Sequence, residues 1–508
     1  MTGKSNKIAK NSFYLGLRTV ATILIALYSS RVLLKNLGFE DFGIYNIIGS
    51  VILFWGALRG FFSSATQRFL NVAKVSENKD TVGKVFSSSL YIHLYTALIF
   101  FVFVGTVGFY FINNQLDIPQ GKIAISNLIF LSSLISASVS ILTIPFDAVI
   151  IANEKMTFFA LTTVMESLIK LLIAFCIPFV NTSGLLFFGV SIAISSVVFR
   201  IWVCKFTLIH FPEASLKINK EKKLISQIAS FASWNFLGNT AHYAVNEGLN
   251  FILNIFWGPT LNAARGIAYQ VQNAVMSFSS NILTAANPQI CHLFIQKESE
   301  RLTSLFSLTT RSLYFIYLLL VLPFTSCIDP ILTLWLGKIP PYTQDFLIII
   351  FCYGLIRTIH GPLNSLFMAS GRIKKYQIIE VIIKGASLPI SIMIIKIFPV
   401  PPSIVFIVML AAEMINTIAI VILAKKQFCF DIKRFVIRDM IPIIIISLLS
   451  IIQLVIVFQI KIASWPVNFT LVFFLISINI FFIGYNRKER AFILRFIQQI
   501  LKRSKNEK

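Results

Sequence analysis

Apolar residues run along this chain in blocks of about twenty, the length a helix needs to cross the hydrocarbon core of a bilayer. Short polar or basic turns separate them. Fourteen spans can be marked: 13–35, 43–66, 86–112, 124–150, 157–180, 184–205, 229–257, 264–292, 306–328, 344–369, 376–396, 403–424, 439–459 and 466–485. The pattern predicts an all-α integral membrane protein of about 14 transmembrane helices. The longest polar interruption, HFPEASLKINKEKKLIS (210–226), follows span six, and a second basic stretch, KKQFCFDIKRF (425–435), follows span twelve. The expected domains are therefore a first six-helix bundle with its linker over 1–228, a second over 229–430, and two further spans with a basic tail over 431–508. A weak internal echo supports the halves. IANEKMTFF (151–159) and MASGRIKKY (368–376) are each a short basic turn leading into a span with an E-x-x-x-K pair, Glu166/Lys170 and Glu380/Lys384. Repeats of this kind are common in transporters, with the substrate site between them.

Composition agrees. The 508 residues are 56% hydrophobic and 13% charged, against about 25% charged in a soluble chain. No small-residue cleavage site follows a short apolar core at the basic N-terminus, so the first span reads as retained. The net charge of +24 would suit nucleic acid, but its distribution does not. With the N-terminus cytoplasmic, 30 of the 45 Lys and Arg residues fall in inner loops and tails and nine within spans. The outer side holds only Lys35, Lys122, Arg265, Lys338, Lys396 and Lys461. That is a positive-inside bias with attraction to anionic headgroups, and it places both termini in the cytoplasm. The six cysteines have no CxxC or metal spacing and read as packing residues. No P-loop, HExxH or GxSxG stretch occurs, so no catalytic or metal-binding residue is expected. Transport, if that is the function, must be driven by a gradient or by a partner.

The informative residues are the polar ones inside the spans. A charged residue at a helix centre costs about 2.5–3.5 kcal/mol on insertion scales. Arg68, Arg200 and Arg311 lie near inner ends, where a long side chain can snorkel. Arg18, Arg31, Arg59, Arg357, Glu247 and Glu413 lack that exit. In span seven Asn239, Tyr243, Asn246/Glu247, Asn250 and Asn254 share one helical face. Span eight offers Gln270, Asn273, Ser277, Asn281 and Asn287, span one Tyr14, Arg18, Thr22 and Ser29, and span two Arg59, Ser63 and Thr66. Two readings stand: hydrogen-bonded packing between helices, or the lining of a water-filled cavity. Arg18 and Arg31 are about 140° apart around one helix, so a straight span cannot point both into one cavity. Arg18 is the cavity candidate; Arg31 is expected to pair with the Glu40/Asp41 turn or with lipid phosphate.

The stretch KIAKNSFYLGLRTVATILIALYSSRVLLKNLGFEDFGIYN (7–46) resembles the start of the multidrug/oligosaccharidyl-lipid/polysaccharide (MOP) exporter superfamily. The matching elements are the basic N-terminus, a first span ending in R-x-L-L, the turn L-G-x-x-x-F-G-x-Y (37–45) and the polar end of span two, SSATQRF (63–69). Within the superfamily the chain is most similar to the polysaccharide branch, the Wzx-type O-antigen and capsule flippases. The resemblance implies two pseudo-twofold-related six-helix bundles forming a V-shaped cavity lined by spans one, two, seven and eight, with two extra C-terminal helices. It implies an undecaprenyl-diphosphate-linked oligosaccharide carried across the bacterial cytoplasmic membrane by alternating access. Arg18, Arg59, Arg31 and Arg357 would then meet the diphosphate, since Arg binds phosphate bidentately. Asn239, Tyr243, Asn246, Asn250, Asn254, Gln270, Asn273, Ser277 and Asn281 would meet sugar hydroxyls. Glu247 and Glu413 would couple transport to a proton or sodium gradient. No cofactor is implied; partners would be membrane lipids and the polysaccharide polymerase and chain-length machinery. A multidrug exporter or a lipid II flippase of the same superfamily is the alternative. A polymerase or ligase is disfavoured, because the longest outer loop, near DPILTLWLGKIPPYT (329–343), is short and has no acid–base cluster.

Overall fold

The computed structural model describes residues 2–75, 79–153, 155–212, 214, 221–428, 430–460, 464–487 and 489–491; over 2–17, 53–65, 231–242 and a few single positions only the backbone is described. Every regular element among these residues is helical. Spans one and two form one long element, α1 (Thr2–Val75), bent at Gly38. Then come α2 (Lys79–Asn114), α3 (Ile123–Leu142), α4 (Ile144–Ala152), α5 (Met156–Cys176), α6 (Gly184–His210), α7 (Lys222–Trp257) and α8 (Pro259–Ile295). The rest of the chain forms α9 (Ser299–Ser326), the short α10 (Ile328–Leu336), α11 (Thr343–Ser370), α12 (Ile373–Ile397), α13 (Ile404–Phe428), α14 (Ile432–Phe435), α15 (Ile441–Ile460) and α16 (Trp465–Asn479). Single π turns continue α14 into α15 (Val436–Met440) and end α16 (Ile480–Gly484). Each of the fourteen expected spans is thus a helix or a broken helix. Span four breaks at Thr143, where Pro145 can sit early in α4 because the first turn needs no amide donor. Eleven helices among the described residues are long and apolar enough to cross a membrane.

The turn motif of 37–45 has a backbone cause. Gly38 takes φ 78°, ψ 178°, a region that only glycine adopts without strain. Gly258, between α7 and α8, has the same conformation, φ 83°, ψ 178°. The first-to-second and seventh-to-eighth junctions therefore share one backbone device. Gly43 serves packing: a Cβ there would lie 1.8 Å from the Pro259 carbonyl oxygen, so this helix can touch the start of α8 only without a side chain.

The chain divides into two compact units. The first is Met1–Ile267 with Trp335–Thr343 and Ser391–Val405; the second is Ala268–Leu334, Gln344–Ile390 and Phe406–Lys508. The first unit takes in α7 and the opening turns of α8, beyond the residue 228 boundary read from the linker. One core of this unit packs Ile44, Ile47 and Ile48 of α1 against Phe100 of α2 and Ile129, Phe130 and Leu134 of α3. Another joins Phe86, Phe146, Val149 and Val203. In the second unit, Phe315 and Leu318 of α9 pack with Leu363 and Phe367 of α11, Ile420 of α13, Ile446 of α15 and Val472 and Ile476 of α16. The last two spans are thus packed into this unit's core. Ile444, Leu448, Ile451 and Ile452 of α15 stay exposed, an apolar face suited to lipid. Lipid is as apolar as these side chains, so close packing and hydrogen bonds hold such helices together.

Candidate functional site

The densest polar chemistry in the second unit is a buried cluster contributed by three spans. Arg357 and His360 lie three residues apart on α11, so they share a face. Tyr376, Glu380 and Lys384 follow each other at four-residue steps on α12, again one face. Glu413 comes from α13 and is completely buried. Its carboxylate lies 3.0 Å from Lys384 Nζ, 3.7 Å from Arg357 Nη1 and 3.8 Å from His360 Nδ1. Glu380 sits 2.5 Å from Lys384 Nζ, 3.6 Å from Arg357 and 3.9 Å from His360 Nε2. His360 Nε2 and the Tyr376 hydroxyl are 2.7 Å apart. Arg357 and Lys384 face Glu380 and Glu413, two cations against two carboxylates, with the His360 imidazole between them. That balance lets ions persist where a single one would be costly. One turn beyond Glu413, Asn416 is fully buried and its side-chain amide makes no hydrogen bond among the described residues.

A second buried centre is arranged around Arg311 of α9. Its guanidinium donates to the Gly484 carbonyl at 2.7 Å and meets Glu489 at 2.5 Å and Asp439 at 3.3 Å. Ser307 also hydrogen-bonds Asp439. Arg311 therefore ties together both π turns of the C-terminal spans. In the first unit, Arg200 is held by Asp147 at 3.0 Å and Glu166 at 3.4 Å. Both arginines were expected to snorkel toward headgroups. The structure corrects this: acids distant in sequence, Asp147, Asp439 and Glu489, keep them inside. Arg68 lies outside the described side chains.

The polar stripe of span seven becomes a knot of amides in the first unit. Asn250 and Asn254 are buried. Asn250 donates to Ser50 of α1 at 2.5 Å. Asn262 of α8 donates to the Asn250 carbonyl and side-chain oxygens at 2.8 and 2.7 Å, and accepts from Asn254 at 2.9 Å. The Asp117 backbone N–H donates to Asn254 Oδ1 at 2.9 Å. Beside them Arg265 donates to the Asn246 carbonyl at 2.6 Å and lies 3.9 Å from Glu247, while Asn246 donates to Glu247 at 3.1 Å. Of the two readings of this stripe, Asn250 and Asn254 follow the packing one. Tyr243, one turn earlier, is exposed.

The remaining expected site residues are dispersed. Arg18 is half-buried over the Phe159 ring of α5, 5.3 Å from its centroid, and makes no ion pair among the described residues. Arg31 is exposed; the Glu40 and Asp41 carboxylates are bound by Lys122 at 2.7 and 2.6 Å. On α8, Gln270 and Ser277 are half-buried, and Asn273 and Asn281 are exposed. Ser277 donates to Ala274 of its own helix. The side chains of Arg59 and Asn239 lie outside the described residues. Sequence reasoning missed Asn262 and Arg265 by placing them in or beside an outer loop. The Gly258-Pro259 pair could have revealed them, since glycine ends a helix and proline starts one. His360 was missed as well, although its three-residue step from Arg357 was visible.

Fold and site define a multi-pass, all-helical membrane protein with balanced charges and amide networks buried among its helices. Residues 32–339 match the family described as polysaccharide biosynthesis protein, and the chain belongs to that family. Among curated relatives, a protein of Escherichia coli (strain K12) named "Putative O-antigen transporter" is 24% identical over 301 residues, covering 56% of this chain and 66% of the relative. Among solved structures, an inward-facing multidrug resistance MATE family transporter of the MOP superfamily matches with a TM-score of 0.71 and 11% identity, over 80% of this chain and 94% of that one. The lipid II flippase MurJ in an inward closed conformation matches with a TM-score of 0.69 and 14% identity, over 92% and 98% of the two chains. At these identities the structures establish the fold, that of the MOP superfamily transporters.

Proposed function

We propose that this protein is a flippase that carries a polyprenyl-diphosphate-linked oligosaccharide from the inner to the outer leaflet of a bacterial cytoplasmic membrane, with both termini in the cytoplasm. Family membership supplies the polysaccharide context. The observation that carries the reading is Arg18: a guanidinium in the first span, half-buried against Phe159 and without a carboxylate partner among the described residues. An unneutralised guanidinium in a span suits an anionic cargo and opposes a cationic drug. Arg59 and Arg31 are the further candidates for the diphosphate. Arg357 is already balanced by Glu380 and Glu413 and would reach the cargo only by leaving them. Tyr243, Gln270, Asn273, Ser277 and Asn281 are the proposed sugar contacts.

The cluster of Arg357, His360, Glu380, Lys384 and Glu413 is the proposed seat of ion coupling. One added proton or cation changes its net charge, and the carboxylates have several cations to choose between. Glu247, beside Arg265, is the second candidate. The two-bundle domain order, the polysaccharide polymerase and the chain-length machinery belong to the same proposal.

The test measures lipid-linked oligosaccharide on the cytoplasmic leaflet of cells lacking the protein. The intermediate should accumulate and be cleared by wild type but not by Arg18→Ala at equal expression. If no intermediate builds up and surface glycan is unchanged, the polysaccharide assignment fails and drug efflux is the next activity to assay. If Arg18→Ala clears it at the wild-type rate, Arg18 is not part of the headgroup site.

A further inference from the structure

A cavity of about 180 Å³ opens in the second unit where the start of α9, the end of α13 and the α14–π turn segment meet. It has room for about six waters at liquid density, enough for a phosphate group. Nothing in the transport reading uses it. One wall is aromatic: Phe306, Phe428, Phe430 and Phe435. The other carries Arg434 and Arg438, one turn apart and on one face. Neither guanidinium makes an ion pair among the described residues. Two acids also line the cavity, and both have partners: Asp431 accepts from the Arg434 backbone N–H at 2.9 Å, and Asp439 is held by Ser307 and Arg311. Glu298, before α9, is bound to Arg301 at 2.8 Å.

Two backbone features aim at the same space. Ser299, Leu302 and Thr303 of the first two turns of α9 line it, and no side chain caps that end. The N-terminal end of a 28-residue helix therefore borders the cavity, and its dipole favours an anion there, although the Ser299 and Leu302 amides are themselves bonded to the Lys297 and Glu298 carbonyls at 3.0 and 2.9 Å. The π turn Val436–Met440 forms part of the wall; such turns are rare and recur at functional sites. Leading away from it, Ile437, Ile441 and Ile444 form an exposed apolar ridge at helical spacing.

We infer that this cavity holds the headgroup of an anionic phospholipid, its phosphate beside Arg434 and Arg438 near the positive end of α9, its acyl chains against the Ile437–Ile444 ridge. The aromatic wall and the ridge suit a lipid better than free phosphate. The inference does not depend on what the protein transports.

The test is the phospholipid retained by the full chain purified in detergent, measured by native mass spectrometry, with phosphatidylglycerol nanodiscs as the reloading probe. Wild type should keep about one anionic phospholipid, and Arg434→Gln/Arg438→Gln should lower retention about tenfold or more. Thr303→Trp, which fills the cavity and leaves both arginines, should do the same. Lys425→Gln/Lys426→Gln, on the same basic stretch, should not. Equal retention by wild type, the arginine variant and Thr303→Trp would overturn the site. Displacement of the lipid by millimolar inorganic phosphate would assign it to free phosphate instead. Retention only in cells that make lipid-linked oligosaccharide would assign it to a polyprenyl diphosphate and refute the bilayer lipid.

Discussion

In the first unit Asn250, Asn254 and Asn262 meet at 2.7–2.9 Å, each amide with a fixed partner. In the second, Glu413 meets Lys384, Arg357 and His360 at 3.0, 3.7 and 3.8 Å. A saturated amide knot has no second arrangement of similar energy, because any change of partner strands a buried donor or acceptor. A carboxylate shared between two cations and an imidazole has several. The first device suits holding α1, α7 and α8 together. The second suits an element that moves between states, since bistable elements rest on arrangements of nearly equal energy.

The sharpest way to break the comparison is to unbalance the charge. Lys384→Met leaves Glu380 and Glu413 buried with one cation fewer, and removing one partner of a buried pair costs about 3–5 kcal/mol. The midpoint of thermal unfolding in detergent should fall markedly, and adding Glu413→Gln should recover much of the loss. If the double variant is no more stable than Lys384→Met alone, charge balance is not what holds the cluster. Gly43→Ala attacks the other region from outside its polar atoms. The new methyl meets the Pro259 carbonyl, backbone that cannot turn away, and overpacking of this kind costs about 1–3 kcal/mol. It should loosen the junction that presents Asn262, read as faster amide exchange near residues 259–265.

Asn262→Leu tests the knot directly. It removes two donations and one acceptance. Polar contacts between membrane helices average about 0.6 kcal/mol and reach about 1.7, so a loss of about 1–2 kcal/mol is expected. If transport is coupled to an ion gradient as proposed, Asn262→Leu should keep that dependence, whereas Glu413→Gln should lose it. Equal loss of gradient dependence in both variants would erase the functional distinction between the regions.

How far the sequence showed this depends on the range of the interactions involved. Span length and polarity are local, so the helices, the Gly38 turn and the separation of spans at 210–226 were legible. Periodicity also placed Asn250 and Asn254 on one face of α7. It could not say whether that face meets water or another helix, because Ser50 and Asp117 lie 200 and 137 residues away. Arg200 and Arg311 show the same limit. Their position near a span end allows snorkelling or burial, and acids 34 to 178 residues distant decide for burial. The charge cluster was half visible as the Glu380/Lys384 step, but its meeting with Glu413 and Arg357 is tertiary.

The smallest expected effect sharpens the comparison most. Lys122 binds Glu40 and Asp41 at 2.7 and 2.6 Å, shorter than most contacts in the charge cluster. Yet the lysine and Glu40 side chains are 32% and 48% exposed. Water already solvates both partners, and exposed pairs are worth about 0–1 kcal/mol. Lys122→Gln should therefore shift the unfolding midpoint far less than Lys384→Met, and high salt should remove what difference remains, because exposed pairs are screened and buried ones are not. If Lys122→Gln matched Lys384→Met, contact distance rather than burial would rank the ion pairs of this protein, and the second unit's cluster would lose its claim to be special.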